Sequence, residues 1–259
     1  MDRHFRCTAC GDCCHGRLPL TLDDARRHAG RFPLALAWMP VVRGLRNYEL
    51  AKRLGVALKL RNRTQIAVVI TPIAYLPAEF PCPELTPGGL CGIHEAKPLR
   101  CRSMPFYPYR EERDQADLLV PRKGWACDIS LGAPLVYHNM RIVDRSDFDL
   151  ERTALLEQAP TMRRYAEYAL KYMPWLLDSL DTALRQPNGH VVTSLSSFFT
   201  AIKPDDAAAL AKLQCPVLQD YASRTSGMDA LAEYRRHYAA WAEEMAYLAA
   251  EGGQDAQVD

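Results

Sequence analysis

The chain has 259 residues, 48% of them hydrophobic and 24% charged, with a formal net charge of +1. These values are those of an ordinary globular chain rather than a wholly disordered one, and leave room for one large domain or two modest ones. Charge is unevenly spread, with 20 Lys+Arg against 12 Asp+Glu in residues 1–127 and 12 against 19 in residues 128–259. A basic half can mark a nucleic-acid surface. Here that half also holds eight of the nine cysteines, whose thiolates call for compensating charge, so nucleic acid is not the favoured partner.

The first residues, Met1 to Arg6, carry charge but no apolar stretch behind it, so they do not read as a secretory signal. Apolar runs such as 34–42 contain proline and are too short to cross a bilayer. A cytoplasmic protein with no membrane partner is the expectation. In that compartment thiols stay reduced, and a cysteine cluster reads as metal-binding before it reads as disulfide.

In chain order, the first feature is C-x-x-C-x-x-C-C at Cys7, Cys10, Cys13 and Cys14. Thr21 then reads as a helix N-cap, with Asp24 in place of the usual Glu of a capping box. Residues 34–60 read as helical with a break near Pro40. The β-branched, apolar run 65–71 predicts a buried strand. Proline and glycine recur too often between Pro72 and Pro108 for long regular elements, and Cys82, Cys91 and Cys101 fall in this stretch. A second strand is predicted over Ala116–Pro121, shortly before Cys127.

After residue 146 the pattern becomes helical, with about four segments separated by Pro160, Pro174, the 187–189 turn, Pro204 and Ser226-Gly227. Leu231, Tyr234, Tyr238, Trp241, Met245 and Leu248 recur at spacings of three and four, an apolar stripe that suits packing against neighbouring helices. The acidic tail after Gly252 reads as disordered.

Chemistry gathers at the cysteines. Two-residue gaps allow a turning backbone to bring successive thiolates to one centre. Adjacent side chains usually diverge, so Cys13 and Cys14 are expected to serve different sites. If Cys7, Cys10 and Cys13 hold one centre, a downstream cysteine completes it and Cys14 is free to help build a second. The alternative is one four-thiolate site, with the remaining thiols structural or facing substrate. Three evenly spaced cysteines resemble the run of ferredoxin-type clusters more than the paired knuckles of zinc ribbons, which favours iron–sulfur and keeps zinc open. The metal-ligand candidates are Cys7, Cys10, Cys13, Cys14, Cys82, Cys91, Cys101 and Cys127. His15 and His94 adjoin them as possible substitutes, and Cys215 is expected to be a buried thiol at a helix end. Arg6, Arg17, Lys97, Arg100 and Arg102 flank the cysteines, where positive charge favours thiolate; solvated surface is their simpler reading.

The residues Phe5-x-Cys7-x-x-Cys10-Gly11-x-Cys13-Cys14, then Cys82-Pro83, then the segment from Cys91 through Lys97-Pro98-Leu99-Arg100-Cys101 to Phe106 resemble the YkgJ-type cysteine-cluster family. That family is associated with chelation of zinc or iron. Lys97-Pro98 stands where it usually has Arg-Pro, and the resemblance covers about residues 5–127. It implies that the eight cysteines named above are the family's ligands, with Cys127 the least secure. The family includes flagellin lysine N-methylases, so the resemblance also implies an iron–sulfur cluster, with S-adenosylmethionine as a cosubstrate and a protein or peptide as substrate. The chain itself offers no dinucleotide-binding glycine fingerprint and no Walker motif.

The expected architecture is α+β: a cysteine-rich metal-binding domain over residues 1–145 with a short sheet and helices, then a mainly helical region over 146–259. The expected function is a cysteine-cluster metalloprotein binding iron–sulfur clusters or zinc, with methylase-like action on a protein or peptide implied by the resemblance alone. The alternative is a non-catalytic zinc- or cluster-stabilised module for interaction, electron transfer or metal handling.

Overall fold

The computed structural model describes residues 2–255, with side chains through Ala250. In chain order the elements are β1 (Arg3–His4), β2 (Leu18–Pro19), α1 (Leu22–Arg27), β3 (Leu34–Val42), α2 (Tyr48–Leu54), β4 (Val56–Lys59), β5 (Gln65–Ala74) and the single turn α3 (Leu99–Arg102). They continue with β6 (Leu135–His138), β7 (Arg141–Ile142), α4 (Ser146–Tyr172), α5 (Leu176–Ala183), β8 (Val191–Ser194), α6 (Leu195–Ile202), α7 (Ala207–Arg224) and α8 (Ala232–Asp255). The class is α+β, with the helices concentrated after residue 145.

The main sheet has the order β2-β5-β3-β8, with β4 also pairing to β5, and its described pairings are antiparallel. Both of its faces are covered. Ile66, Val68 and Ile70 of β5 join the large core with α5 to α8, while Ala67 and Val69 face a smaller cluster with α2, Leu155 of α4 and Tyr109. Double-sided burial explains the near-continuous apolar run of this strand. It also explains why residues 34–60 read as helix in sequence. The run LALAWMPVV shows no two-residue alternation because Leu36 and Trp38 pack in the large core while Met39 and Val41 pack against the smaller one. That segment is therefore strand, helix and strand, and Pro40 does not break it. β8 pairs only with Ala35–Trp38, so nothing on that edge needs the missing N–H of Pro40.

The strand expected from residue 65 is present and runs three residues further, to Ala74. The one expected at Ala116–Pro121 is not. That segment is turn, organised by the fully buried Gln115, which accepts from Tyr107 N (2.8 Å) and donates to the carbonyls of Tyr107 and Arg110 (3.0 and 3.1 Å). Thr21 caps α1 as read: its Oγ1 accepts from Asp24 N at 3.1 Å and donates to Asp24 Oδ2 at 2.9 Å.

Pro160 does not divide α4, which continues through it to Tyr172. Proline removes the hydrogen bond to the carbonyl four residues back, here that of Leu156, and both residues are exposed, where water can take its place. A strand, β8, also interrupts the expected helical series. It joins β3, so the core crosses the expected boundary at residue 145, running from Leu20 through Trp38 and Ile70 to Tyr238 and Met245. The stripe on α8 packs inward, with Tyr238, Trp241 and Met245 buried around Tyr75 and α7. Helix α8 continues past Gly252 to Asp255, and the rest of the expected tail, residues 256–259, lies outside the described residues.

A second, three-stranded sheet, β1-β6-β7, sits beside the N-terminal cysteines over a small cluster of Phe106, Leu119, Tyr137, Ile142 and Phe148. Among the described residues no helix is long and apolar enough to cross a membrane.

Candidate metal centre

The N-terminal cysteine motif is irregular chain held at both sides by backbone pairing. On one side Arg6 and Asp128 exchange N–H to O=C bonds at 2.8 and 3.1 Å, and their side chains pair at 3.6 Å. Thr8 Oγ1 donates to Ala126 O (3.0 Å), and Asp12 Oδ2 accepts from Ala126 N (3.2 Å). These bonds lay the segment carrying Cys127 alongside Cys7, Cys10 and Cys13. On the other side Cys82 N donates to Cys14 O (2.7 Å), Gly16 N donates to Phe80 O (3.1 Å), and His15 bridges Pro81. The 82–91 loop folds back on itself through the Leu85–Cys91 bridge and the Gly92 N to Glu84 O bond at 2.7 Å.

Between the two sides lies a tight turn closed by Cys14 N donating to Gly11 O at 2.8 Å. Gly11 has φ +78°, and a Cβ there would stand 3.2 Å from Gly89 O and from Leu85 Cδ1. Only glycine combines that backbone angle with so close an approach of the second loop.

Electrostatics sort the sulfurs into two neighbourhoods. Burial pushes the Cys127 thiol up, and the charges of Cys10, Cys7 and Cys13 push it further. Burial likewise raises Cys101, to about 12, reinforced by Cys82 and Cys13, opposed by Arg100, and reinforced again by Cys91. A hydrogen bond from Cys13 lowers Cys14, against burial and the charges of Cys82, Cys101 and Cys91. The same bond, then burial, raises Cys13. Cys127 thus lies near Cys7, Cys10 and Cys13, and Cys14 lies near Cys82, Cys91 and Cys101. Cys13 lies between these two groups, close enough to act on thiols of both.

The thiols of Cys13 and Cys14 lie close enough to shift one another, and the pair occupies the last two positions of a tight turn rather than a strand or helix, where neighbours diverge. Among the described residues no three His, Cys, Asp or Glu side chains are arranged to hold a metal ion as they stand. The sulfurs are thus gathered around two places without being closed into coordination polyhedra. As donor sets both neighbourhoods fit a soft or borderline metal. Four thiolates suit either tetrahedral zinc or an iron–sulfur core.

The remaining candidates fall elsewhere. Cys215 lies within α7, not at a helix end, and packs against the large core. His15 and His94 are exposed. His94 lines a polar cavity of about 360 Å³ with Glu95, Lys97, Arg102 and Asp147, between the chain segments that carry Cys91 and Cys101. The flanking cations are largely matched by carboxylates: Arg6 by Asp128, Arg102 by Asp147 at 2.5 Å, and Arg100 by Glu151 at 3.4 Å. Arg100 is buried, contrary to the surface reading. Sequence reasoning missed Asp12, Asp147 and Glu151 as supports and saw Asp24 only as a helix cap. Their roles depend on contacts across 45 residues or more for Asp147, Glu151 and Asp24, which spacing does not encode.

With the geometry in place, comparison with protein families bears on the N-terminal part. Residues 6–120 match the model of the CxxCxxCC family, "Putative zinc- or iron-chelating domain". This stretch is similar to that domain family. It contains every candidate ligand except Cys127, which lies just beyond it, next to Asp128, whose backbone pairs with Arg6. Comparisons with curated proteins and with solved structures find no match.

Proposed function

We propose that the CxxCxxCC domain builds two four-thiolate metal centres, Cys7/Cys10/Cys13/Cys127 and Cys14/Cys82/Cys91/Cys101, and that these hold iron–sulfur clusters. The observation carrying this reading is the division of eight sulfurs into two neighbourhoods of four that meet at Cys13. Support for iron–sulfur over zinc comes from the three evenly spaced cysteines and from their exposure, which leaves room for inorganic atoms beside the loop. When bound, such clusters supply one-electron chemistry. The chain's own part is to converge the thiolates, to offset their charge with Arg100 and neighbouring cations, and to bury Cys101 on one side.

Anaerobic purification with iron, sulfide and zinc analysis tests this. Iron and sulfide in equal amounts, with visible charge-transfer absorption, support the reading. Stoichiometric zinc without colour replaces it with a structural module, in which metal staples the loop-rich 72–108 segment.

The wider reading, action on a protein or peptide with S-adenosylmethionine, draws on the cavity at His94, Glu95, Lys97, Arg102 and Asp147. A polar recess lined by Arg102, the neighbour of Cys101 in the chain, is where a small charged ligand could bind. Equilibrium binding of S-adenosylmethionine to the metal-loaded protein, with and without Lys97→Ala, tests it. No saturable binding would remove this reading.

A further inference from the structure

We propose that Glu151, paired with Arg100, is a positioning residue for the Cys14/Cys82/Cys91/Cys101 centre, fixing the direction in which Cys101 leaves α3. The proposal rests on the two-centre reading and names what holds its least self-sufficient part in place.

α3 is four residues long, far below the length at which a helix sustains itself in water. Its orientation therefore comes from outside, and three carboxylates supply it. Asp24 Oδ2 accepts from Leu99 N at 3.2 Å. Asp147 takes Arg102 at 2.5 Å. Glu151 accepts from Ser103 Oγ and faces Arg100 Nη1 at 3.4 Å. Asp147 and Glu151 are four apart on α4, hence on one face of it. Anchoring the residues on either side of Cys101 to that face fixes the rotation of the turn, and with it the Cα–Cβ direction of Cys101.

The Glu151 contact stands apart because it is buried: Arg100, Glu151 and Ser103 are 4%, 2% and 3% exposed. Arg100 Nη1 makes no hydrogen bond, so Glu151 is the countercharge that justifies its burial. The other end of the guanidinium donates to Phe106 O and lies over the Tyr107 ring, 5.2 Å from its centroid. A buried ion pair is weak evidence for stability, because its desolvation cost offsets most of the attraction. Its directional contacts instead suit the holding of one register. Here that register is the placement of a four-residue turn whose only other distinguishing group is a candidate metal ligand.

The test is an anaerobic Co(II) titration of the reduced, metal-free full chain, following thiolate-to-metal absorption. Wild type should show two binding steps, and Cys101→Ser identifies the step belonging to the second centre. Glu151→Gln should weaken that step by roughly 10–100-fold, the usual effect of removing a support of a metal ligand, and leave the other unchanged. Because Glu151→Gln strands a buried cation, the double variant R100M/E151M, which buries no unpaired charge, should show the same selective loss with native circular dichroism. An unchanged second step in the folded double variant overturns the proposal, as does equal weakening of both steps. Absence of thiolate absorption in wild type would instead overturn the two-centre reading beneath it.

Discussion

Cys14→Ser and Cys127→Ser should each remove one centre and spare the other. Cys14 acts with Cys82, Cys91 and Cys101, and Cys127 with Cys7, Cys10 and Cys13. Each serine thus leaves three thiolates in its own neighbourhood and four in the other. In a zinc-loaded sample the wild type should hold about two ions per chain and each variant about one, since each closed site takes four ligands. Energetically, metal held at a thousandfold excess over its dissociation constant adds about 4 kcal/mol per centre, so each variant should forfeit about that much of the metal-dependent stability. The loss should also be local. Between residues 82 and 98 the backbone has no helix beyond the short turn His94–Ala96 and no named strand, so little regular hydrogen bonding remains when the metal leaves. Hydrogen exchange by mass spectrometry should show residues 82–101 deprotected in Cys14→Ser, and residues 5–10 with 126–130 deprotected in Cys127→Ser. If either variant loses all metal, or keeps it all, the division into two sets is wrong. Cys13, which adjoins both, should be the one cysteine whose serine variant disturbs both centres.

Three further outcomes follow from the packing. Gln214 is fully buried on α7, accepts from Leu34 N at 2.8 Å and donates to Phe32 O at 2.8 Å and to Ala29 O; Gln214→Leu strands these backbone groups and should cost about 2–4 kcal/mol in urea unfolding, with a loss below 1 kcal/mol counting against a shared core. Thr21→Ala removes the α1 cap and frees Asp24, and a loss of about 1 kcal/mol is expected from the cap alone, measured by thermal unfolding. His28 is buried and its pKa is lowered, first by burial and then with Asp24 opposing and Arg27 and Arg31 assisting. The unfolded chain therefore binds its proton first, so stability is full above about pH 6.5 and falls as pH drops through the lowered value. His28→Phe should flatten that part of the stability–pH curve between pH 5 and 7, and an unaltered slope would refute the assignment.

What the sequence made legible is what local spacing encodes. The cap at Thr21, the strand beginning at Gln65, the inward stripe on α8 and the C-x-x-C-x-x-C-C pattern each rest on residues a few positions apart. What it hid depends on tertiary context. The strand Leu34–Val42 looked helical because burial on both faces erased the alternation that marks a strand. β8 was invisible because four residues, VVTS, acquire strand geometry only by pairing with Ala35–Trp38. Pro160 looked like a break because sequence does not say that its freed carbonyl would meet solvent. At the candidate site, the support of α3 by Asp147 and Glu151 was hidden because it spans 45 residues or more of chain.

The same dependence explains why the cysteine-rich segment and the helices belong to one core. A loop region that lacks its own hydrogen-bonded frame can present thiolates in a fixed geometry only if rigid elements surround it. Here β5 and β3 form the floor, α1 and α4 grip α3 through Asp24, Asp147 and Glu151, and α7 with α8 packs around Tyr75, Phe80 and the apolar side of Cys82. Helices α4 to α8 are therefore part of what orients the second set of sulfurs. Truncation after residue 145 would remove Asp147 and Glu151 from α3 and β8 from the sheet, leaving Trp38 without its 3.0 Å hydrogen bond to Thr193. A fragment made of residues 1–145 should therefore fail to hold the second centre even where the first, whose nearest supports all precede residue 135, still binds metal.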